Sequence, residues 1–178
     1  MPLFIHRGRH RYYPRVSGRG KAPAAPQSKR RIWKECSGIM KVYEAKNIIN
    51  LALAGHSGAG KTSLAEAMLY LAGASDRRGK VGDGNTVCDY DPEEIRRKSS
   101  VSAAVAPFEW KNYKINLLDA PGLFDFESGL CESVRAADTV LIAVSGKSGV
   151  AVGTEKAFAA AQKRDLAKII FVNGLCDE

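Results

Sequence analysis

The sequence predicts an α/β domain built on a mainly parallel sheet, and three observations support that prediction. Short, continuously apolar runs such as 48–54 (IINLALA) and 139–144 (TVLIAV) have the length and composition of strands buried on both faces. The segment 61–71 between such runs repeats apolar residues at the spacing of one helical face. Strand and helix signals then alternate along the chain, which is typical of parallel sheets with crossover helices.

The individual elements follow from the same patterns in chain order. We predict strands at 48–54, 101–110, 113–119, 139–144 and 168–172, and helices at 61–71, 130–137 and 154–164. Lys111-Asn112 separates two strand-like runs and is typical of a hairpin turn. The polar stretch 73–100 has no such pattern, and a structureless connection of that length inside a compact domain is usually functional or disordered. The 178 residues, 45% of them hydrophobic, suffice for one domain with its own core.

Charge divides the chain into two parts. The formal net charge is +8, but ten of the 27 Lys and Arg residues lie in 1–39 beside only one of the 19 Asp and Glu residues. We therefore predict a basic, disordered extension at 1–39 and a nearly neutral domain at 40–178. Three interpretations of the extension stay open: contact with RNA through arginines and tyrosines, an import sequence, or translation assigned upstream of a start at Met40.

The cysteines and the hydropathy pattern exclude several classes of protein. Cys36, Cys88, Cys131 and Cys176 are scattered, without a CxxC pair or a Cys/His cluster. This spacing argues against a structural zinc site and against a disulfide scaffold, and it favours reduced thiols in a cytoplasmic protein. No run of about 18 apolar residues occurs, so no membrane-spanning helix is predicted.

The strongest motif is the octapeptide GHSGAGKT, which fits GxxxxGK[ST] between a predicted strand and a predicted helix. Small residues let the backbone curl so that successive N–H groups point at phosphate oxygens, and the following helix adds the positive end of its dipole. Lys61 would place its charge on the β- and γ-phosphates, and the Thr62 hydroxyl would coordinate Mg²⁺. The predicted nucleotide-binding residues of this loop are Gly55, His56, Ser57, Gly58, Ala59, Gly60, Lys61 and Thr62.

A second motif, DAPG, follows the strand predicted at 113–119. In a nucleoside triphosphatase, Asp119 at this strand tip would hold Mg²⁺, usually through water, and the N–H of Gly122 would contact the γ-phosphate. We therefore assign catalytic roles to Lys61 and Gly122. The stretch 73–100 would cover the nucleotide and become ordered around the γ-phosphate, with the hydroxyl of Ser100 as its Mg²⁺ ligand.

The segments GHSGAGKTSLAEAMLY, GNTVCDYDPEEIRRKSSVSAAVAPFEW and YKINLLDAPGLFDF together resemble the GTPase domain of bacterial elongation factor G and its paralogues, over about residues 46–172. The resemblance implies a phosphate-loop GTPase domain with a mainly parallel sheet, helices on both faces and an incomplete C-terminus. It also implies binding of GTP or GDP with Mg²⁺, hydrolysis of GTP, and the ribosome as partner.

Three departures from the family pattern affect what the resemblance implies. Where the family usually has Arg-Gly-Ile-Thr, residues 97–100 are RKSS, so a serine hydroxyl replaces threonine, at Ser100 or alternatively Ser99. Leu123 occupies the place of a histidine that positions the attacking water, and its side chain forms no hydrogen bonds. We expect slower hydrolysis, or water ordered by another group.

The third departure concerns the guanine-reading motif Asn-Lys-x-Asp, which here reads Asn-Gly-Leu-Cys from Asn173. Asn173 is retained and is assigned to the nucleotide site, but Cys176 lacks the carboxylate that accepts two hydrogen bonds from guanine. Asp177 lies one position late. The loss of a hydrogen bond to a charged group costs about 1.5–3 kcal/mol, so base selectivity is expected to suffer more than phosphate binding.

Two other functions remain compatible with the sequence. A truncated remnant would hold nucleotide without turnover and use its basic extension to contact RNA, in which case binding would depend on salt. An ATP-using phosphate-loop enzyme such as a kinase would share the GHSGAGKT loop. The sequence offers no catalytic base or lid signature for that enzyme.

Overall fold

A computed structural model describes residues 41–175 of the chain. The extension predicted at 1–39, together with Cys176 and Asp177, lies outside the described residues. The strands are β1 (Ile48–Gly55), β2 (Ala104–Trp110), β3 (Tyr113–Asp119), β4 (Thr139–Ser145) and β5 (Ala167–Asn173). The helices are α1 (Lys61–Leu71), α2 (Pro92–Arg97), α3 (Glu127–Ala136) and α4 (Val152–Lys163), with short 3₁₀ turns at Ala45–Asn47, Val81–Asp83 and Phe124–Phe126.

The strands form one sheet in the order β2-β3-β1-β4-β5. The pairings of β1 with β3, β1 with β4 and β4 with β5 are parallel, and only the β2–β3 hairpin is antiparallel. The register places Leu53 opposite Asp119 and Gly55 opposite Ala143. The carboxyl ends of β1, β3 and β4 therefore lie side by side at the same end of the sheet, where ligands of open α/β sheets usually bind.

Helices cover both faces of this sheet, and each face has its own core. On the α1 side the buried residues include Leu53, Leu69, Cys88, Phe108, Leu117 and Leu141. On the α3 and α4 side they include Ala52, Leu118, Val134, Val140, Ile142 and Ala157. The second half of β1, from Ala52 to Gly55, is buried between these two cores, whereas its first half is partly exposed. The prediction of a mainly parallel sheet with helices on both faces is confirmed.

The long connection before β2 has more structure than its polar composition predicts. It contains α2, which begins with a capping box in which Asp91 accepts from the N–H of Glu93 and the Glu94 carboxylate accepts from the N–H of Asp91. The carboxylate of Glu94 also accepts from the backbone N–H groups of Val101 and Ser102. The strand expected from residue 101 therefore begins only at Ala104.

The two edge strands differ in how much of their surface is covered. In β2, Pro107 occupies an edge position, where its missing N–H removes a donor from the unpaired side. Within the described residues β5 is exposed along most of its length, and Ile169, Ile170 and Val172 are among its exposed apolar side chains. Among residues 41–175, no helix has both the length and the apolar character needed to span a membrane.

Candidate nucleotide-binding site

The loop that joins β1 to α1 depends on glycine at two positions. Gly55 has φ 138°, and a Cβ atom there would clash with the backbone oxygen of Ala143 on β4. Gly60 caps α1 with φ 85°, and a Cβ atom there would clash with the side-chain amide of Asn173. No other residue fits either place, so the chain turns sharply and directs the first N–H groups of α1 into the loop.

Lys61 is buried at the centre of the loop. Its ammonium group donates to the carbonyl oxygen of His56 at 3.0 Å, so the side chain folds back over the loop. Burial lowers the pKa of Lys61, while the nearby carboxylates of Asp119 and Asp89 work in the opposite direction. A Cβ atom at Gly122 would clash with the Lys61 nitrogen, which shows how closely the DAPG turn packs against the loop.

Four oxygen-bearing side chains form a continuous cluster beside Lys61. Thr62 donates through its hydroxyl to Asp119 Oδ2 at 2.8 Å and lies 3.2 Å from the hydroxyl of Ser100. Ser100 in turn donates to Asp89 Oδ1 at 2.7 Å. The three residues assigned to the metal from sequence thus meet in space. The fourth, Asp89, was not among the predicted site residues.

One oxygen of each carboxylate in this cluster is buried without a hydrogen-bond partner, namely Asp119 Oδ1 and Asp89 Oδ2. Burial raises the pKa of Asp119 to about 6, although the hydrogen bond from Thr62 and the charge of Lys61 act to lower it. Buried unpartnered oxygens of this kind are expected where a ligand completes the site. Hydroxyl and carboxylate oxygens are hard donors that suit Mg²⁺, which retains several waters and needs few protein ligands.

The described residues enclose a cavity of about 220 Å³ at this cluster. Its walls come from the loop of β1 and α1, from Gly122, and from the stretch 73–100. The latter contributes Val81, Asp89, Lys98, Ser99 and Ser100. The long polar stretch therefore lies over the phosphate-binding loop, as a cover for whatever that loop holds.

Two buried glutamates fix this cover to the domain. Glu66 on α1 is fully buried and accepts from the N–H groups of Gly79 at 3.1 Å and Val87 at 2.5 Å. Glu94 on α2 accepts from Val101 and Ser102 through one oxygen and from Asp91 through the other. Burial alone would raise the pKa of Glu94, but these backbone hydrogen bonds outweigh it and hold the pKa below its usual range.

The sequence held a signal for one of the missed residues but not for the others. Glu94 stands three positions after Asp91 with Pro92 between them, which is the signature of a helix start. Asp89 is one of several acidic residues in a polar stretch, and its inward position follows from burial of its neighbour Cys88 in the α1-side core. Glu66 is the only acidic residue of α1, and the sequence around it gives no comparable signal.

Asn173, His56 and Leu123 lie around the loop and are not among the residues that line the cavity. Asn173 donates from its amide to the carbonyl of Ala59 at 3.2 Å, so it supports the loop from the β5 side. The His56 ring lies 6.0 Å from the ring of Phe124, and its buried Nδ1 has no hydrogen-bond partner. Leu123 lines a separate cavity of about 20 Å³ with Gly55 and other residues.

A parallel α/β sheet whose first strand leads through GxxxxGKT into a helix defines the class of phosphate-loop nucleotide-binding domains. The chain belongs to a particular family in this class, the elongation factor Tu GTP binding domain, which matches residues 46–176. The resemblance to translational GTPases is therefore confirmed, and guanine nucleotide is the ligand that this family membership indicates.

Two relatives and two solved structures are similar to this chain. Mitochondrial ribosome-releasing factor 2 of Drosophila erecta is 37% identical over 147 residues, 83% of this chain and 20% of the relative. The Schizosaccharomyces pombe protein of that name is 36% identical over 142 residues, 80% of this chain and 17% of the relative. The chain thus spans about one fifth of the length of the curated relatives it matches.

A Thermus thermophilus protein of known structure is 44% identical, with a TM-score of 0.69 over 70% of this chain and 19% of its own. The translation elongation factor SelB of Methanococcus maripaludis shares the fold at 22% identity, with a TM-score of 0.53 over 70% of this chain and 21% of its own.

Proposed function

We propose that this domain binds GTP and GDP together with Mg²⁺ and hydrolyses GTP to GDP and phosphate, as part of an elongation factor G-like translation factor. The observation that supports this most directly is the cluster Asp119, Thr62, Ser100 and Asp89 beside Lys61. It combines a buried cation for phosphate with hard oxygen donors, two of which are unpartnered. Membership of the elongation factor Tu GTP binding domain family indicates that the bound nucleotide is a guanine nucleotide.

Each residue of the site has a distinct role in this proposal. Lys61 neutralises charge on the β- and γ-phosphates, and the loop N–H groups from Gly55 to Thr62 cradle them. Thr62 and Ser100 turn their hydroxyl oxygens to Mg²⁺, while Asp119 and Asp89 hold water around it. When bound, the metal supplies positive charge for the phosphate oxygens. Gly122 offers its N–H to the γ-phosphate, a contact that only GTP provides.

Turnover is expected to be slow in the isolated chain. In-line attack of water on the γ-phosphate depends mainly on positioning and charge stabilisation. Leu123 follows Gly122 directly and offers no hydrogen bond to a water molecule. We therefore propose that efficient hydrolysis depends on a group supplied from outside the described residues.

The proposed partner is the ribosome, because the matched relatives are named ribosome-releasing factors. Sedimentation of the purified chain with ribosomes, with GTP analogue or with GDP, tests this partner. Retention independent of the nucleotide, or none at all, would contradict it.

The cytoplasmic location predicted from the cysteines stays a proposal, since the relatives' names place those proteins in mitochondria. Cell fractionation with an antibody to this chain decides between the two compartments.

The decisive experiment measures binding of fluorescent GDP to the full chain with and without Mg²⁺, with GTP and ATP as competitors. We expect Mg²⁺-dependent binding that GTP displaces better than ATP, lost in Lys61→Ala and kept in Lys163→Ala, which changes an exposed lysine at the end of α4. Nucleotide binding without any GTP hydrolysis would support the remnant, whereas a folded sample that binds no nucleotide would contradict the proposed function. Preferred displacement by ATP would support an ATP-using enzyme.

A further inference from the structure

The cavity at the phosphate loop has a second cation whose role the proposed function does not explain. Two of the described residues that line it are lysines, Lys61 and Lys98. Lys61 rises from the floor of the cavity, whereas Lys98 belongs to the cover formed by 73–100. We propose that Lys98 contacts the γ-phosphate of bound GTP and stabilises the charge that develops there during hydrolysis. This inference rests on the proposed GTPase function.

The backbone conformation at Lys98 does not itself require a lysine side chain. Lys98 ends α2 in the left-handed conformation, with φ 53° and ψ 39°. Glycine adopts this conformation freely, whereas a residue with a Cβ atom is disfavoured there. The backbone task at this position, donation of its N–H to the carbonyl of Glu94, needs no side chain. A lysine thus occupies a position where glycine would fit better.

The position of Lys98 is fixed from both sides. On the helix side, Glu94 is buried and holds Val101, Ser102 and Asp91 through its carboxylate. On the other side, Ser100 is hydrogen bonded to Asp89 at 2.7 Å and lies 3.2 Å from Thr62. Lys98 is therefore presented at the rim of the cavity by an ordered segment rather than by a free loop. A fixed backbone at Lys98 limits the movement needed to bring its side chain to a phosphate in the cavity.

The charges around Lys98 leave it available for a phosphate. Its neighbours Arg96 and Arg97 are both paired with Glu93 on the surface of α2. The carboxylates of the cavity, Asp89 and Asp119, are hydrogen bonded to Ser100 and Thr62. Lys98 forms none of the ion pairs found among the described residues, and its side chain is exposed. No ion pair among the described residues therefore occupies the Lys98 ammonium group.

The neighbours of Lys98 identify the γ-phosphate as its target. Ser100, two residues further along the chain, belongs to the oxygen cluster proposed for Mg²⁺, and Gly122 in the same cavity is proposed to meet the γ-phosphate. The DAPG turn contains no basic residue and continues with the apolar Leu123, so no side chain from that turn provides positive charge at this end. A cation placed against a transferring phosphoryl group accelerates its transfer, as lysines and arginines do in other phosphate-loop proteins.

The test compares two lysines in the same backbone conformation. Lys98→Gly removes the charge and relaxes the left-handed backbone, so it should not unfold the domain. Lys111→Gly is the matched control, because Lys111 has φ 56° in the β2–β3 hairpin turn and does not line the cavity. Lys98→Arg keeps the charge. Each variant of the full chain is assayed for binding of a non-hydrolysable GTP analogue and of GDP, and for single-turnover GTP hydrolysis.

We expect Lys98→Gly to weaken binding of the GTP analogue about tenfold and binding of GDP less than about threefold. This difference is expected because only the GTP analogue has a γ-phosphate for Lys98 to contact. Single-turnover hydrolysis should fall at least about tenfold, with Lys98→Arg and Lys111→Gly near the wild type. Equal weakening of both nucleotides, or no change, would overturn the assignment of Lys98 while leaving GTP binding intact. Failure of the wild-type chain to bind any nucleotide would instead refute the proposed function, and this inference with it.

Discussion

Two pairs of buried carboxylates, in neighbouring regions of the domain, are satisfied to different degrees. Glu66 and Glu94, which anchor the cover 73–100, have hydrogen-bond donors on both oxygens. Asp89 and Asp119, in the cavity below it, each have one buried oxygen without a partner. The degree of burial is nearly the same in all four, so burial does not distinguish the pairs. What distinguishes them is the kind of donor.

The anchors are satisfied mainly by backbone N–H groups, which the fold itself provides. The cavity carboxylates accept from the hydroxyls of Thr62 and Ser100, which are also able to turn toward a metal. The anchors are therefore complete without a ligand, whereas the cavity pair is completed by one. A buried carboxylate with a free oxygen indicates a binding site, and one with both oxygens occupied indicates a structural support.

The largest effect is expected from Glu94→Ala. The change leaves the N–H groups of Val101 and Ser102 without their carboxylate acceptor, and a hydrogen bond to a charged group contributes about 1.5–3 kcal/mol. The free energy of unfolding should fall by about 3 kcal/mol or more in urea denaturation. Glu93→Ala is the matched control, since this neighbouring glutamate is on the surface of α2 and pairs only with Arg96 and Arg97. Equal losses in both variants would refute the anchoring role.

A smaller and more local effect is expected from Glu66→Ala. The N–H groups of Gly79 and Val87 lose their acceptor, so the free energy of unfolding should fall by about 2 kcal/mol. The cover should also open, and trypsin should cut faster after the nearby Arg77 and Arg78. Glu132→Ala, which changes an exposed glutamate of α3, should leave both measurements unchanged. Unaltered trypsin cleavage in Glu66→Ala would show that the cover is held by other contacts.

Asp119→Asn should act in the opposite direction in the absence of ligand. Because burial disfavours the charged form of Asp119, a neutral amide should raise the free energy of unfolding of the nucleotide-free domain, by about 1 kcal/mol. The same change should abolish the stabilisation that Mg²⁺ and nucleotide add to the wild type. Thermal unfolding with and without Mg²⁺–GDP measures both effects. A variant destabilised both with and without Mg²⁺–GDP would show that Asp119 supports the structure, as Glu66 and Glu94 do.

The smallest effect concerns pH. The pKa of Glu94 is held below its usual range, so its contribution to stability is present above the pKa of an ordinary glutamate and is lost as the pH falls through the lower folded-state pKa. The difference in unfolding free energy between wild type and Glu94→Gln should therefore narrow as the solution is made more acidic through this window. Urea titrations at several pH values measure this difference. A constant difference in unfolding free energy over that pH range would show that the charge of Glu94 does not contribute to stability.

Sequence reasoning found those parts of the site where chemistry demands a residue type at a fixed spacing. The turn from β1 into α1 has glycines with positive φ at positions 55 and 60, where a Cβ atom would clash. The phosphate binding proposed for this turn assigns Lys61 and Thr62 by their fixed spacing from these glycines. Asp119 was predictable in the same way, because a strand of recognisable pattern ends on it. The fold class followed from the apolar runs alone, since strands buried on both faces have few alternatives.

The parts that sequence reasoning missed depend on competition between partners. Residues 101–103 have the composition of a strand, but Glu94 offers the N–H groups of Val101 and Ser102 a carboxylate instead of a neighbouring strand. Asp89 differs from the other acidic residues of the cover only in where its backbone is held. Neither fact is encoded locally, because each depends on a residue from a different turn of the chain.

The difference between the edge strands β2 and β5 limits the number of copies of this domain that could pair through their sheet edges. Pro107 interrupts the row of donors on the free side of β2, whereas β5 presents an uninterrupted row within the described residues. Edge-to-edge growth needs two usable sides on every unit, as a polymer needs two reactive ends. A copy that can pair only through β5 has no second edge strand to offer once β5 is paired. Assembly through the sheet edges of the described residues would therefore stop at two copies.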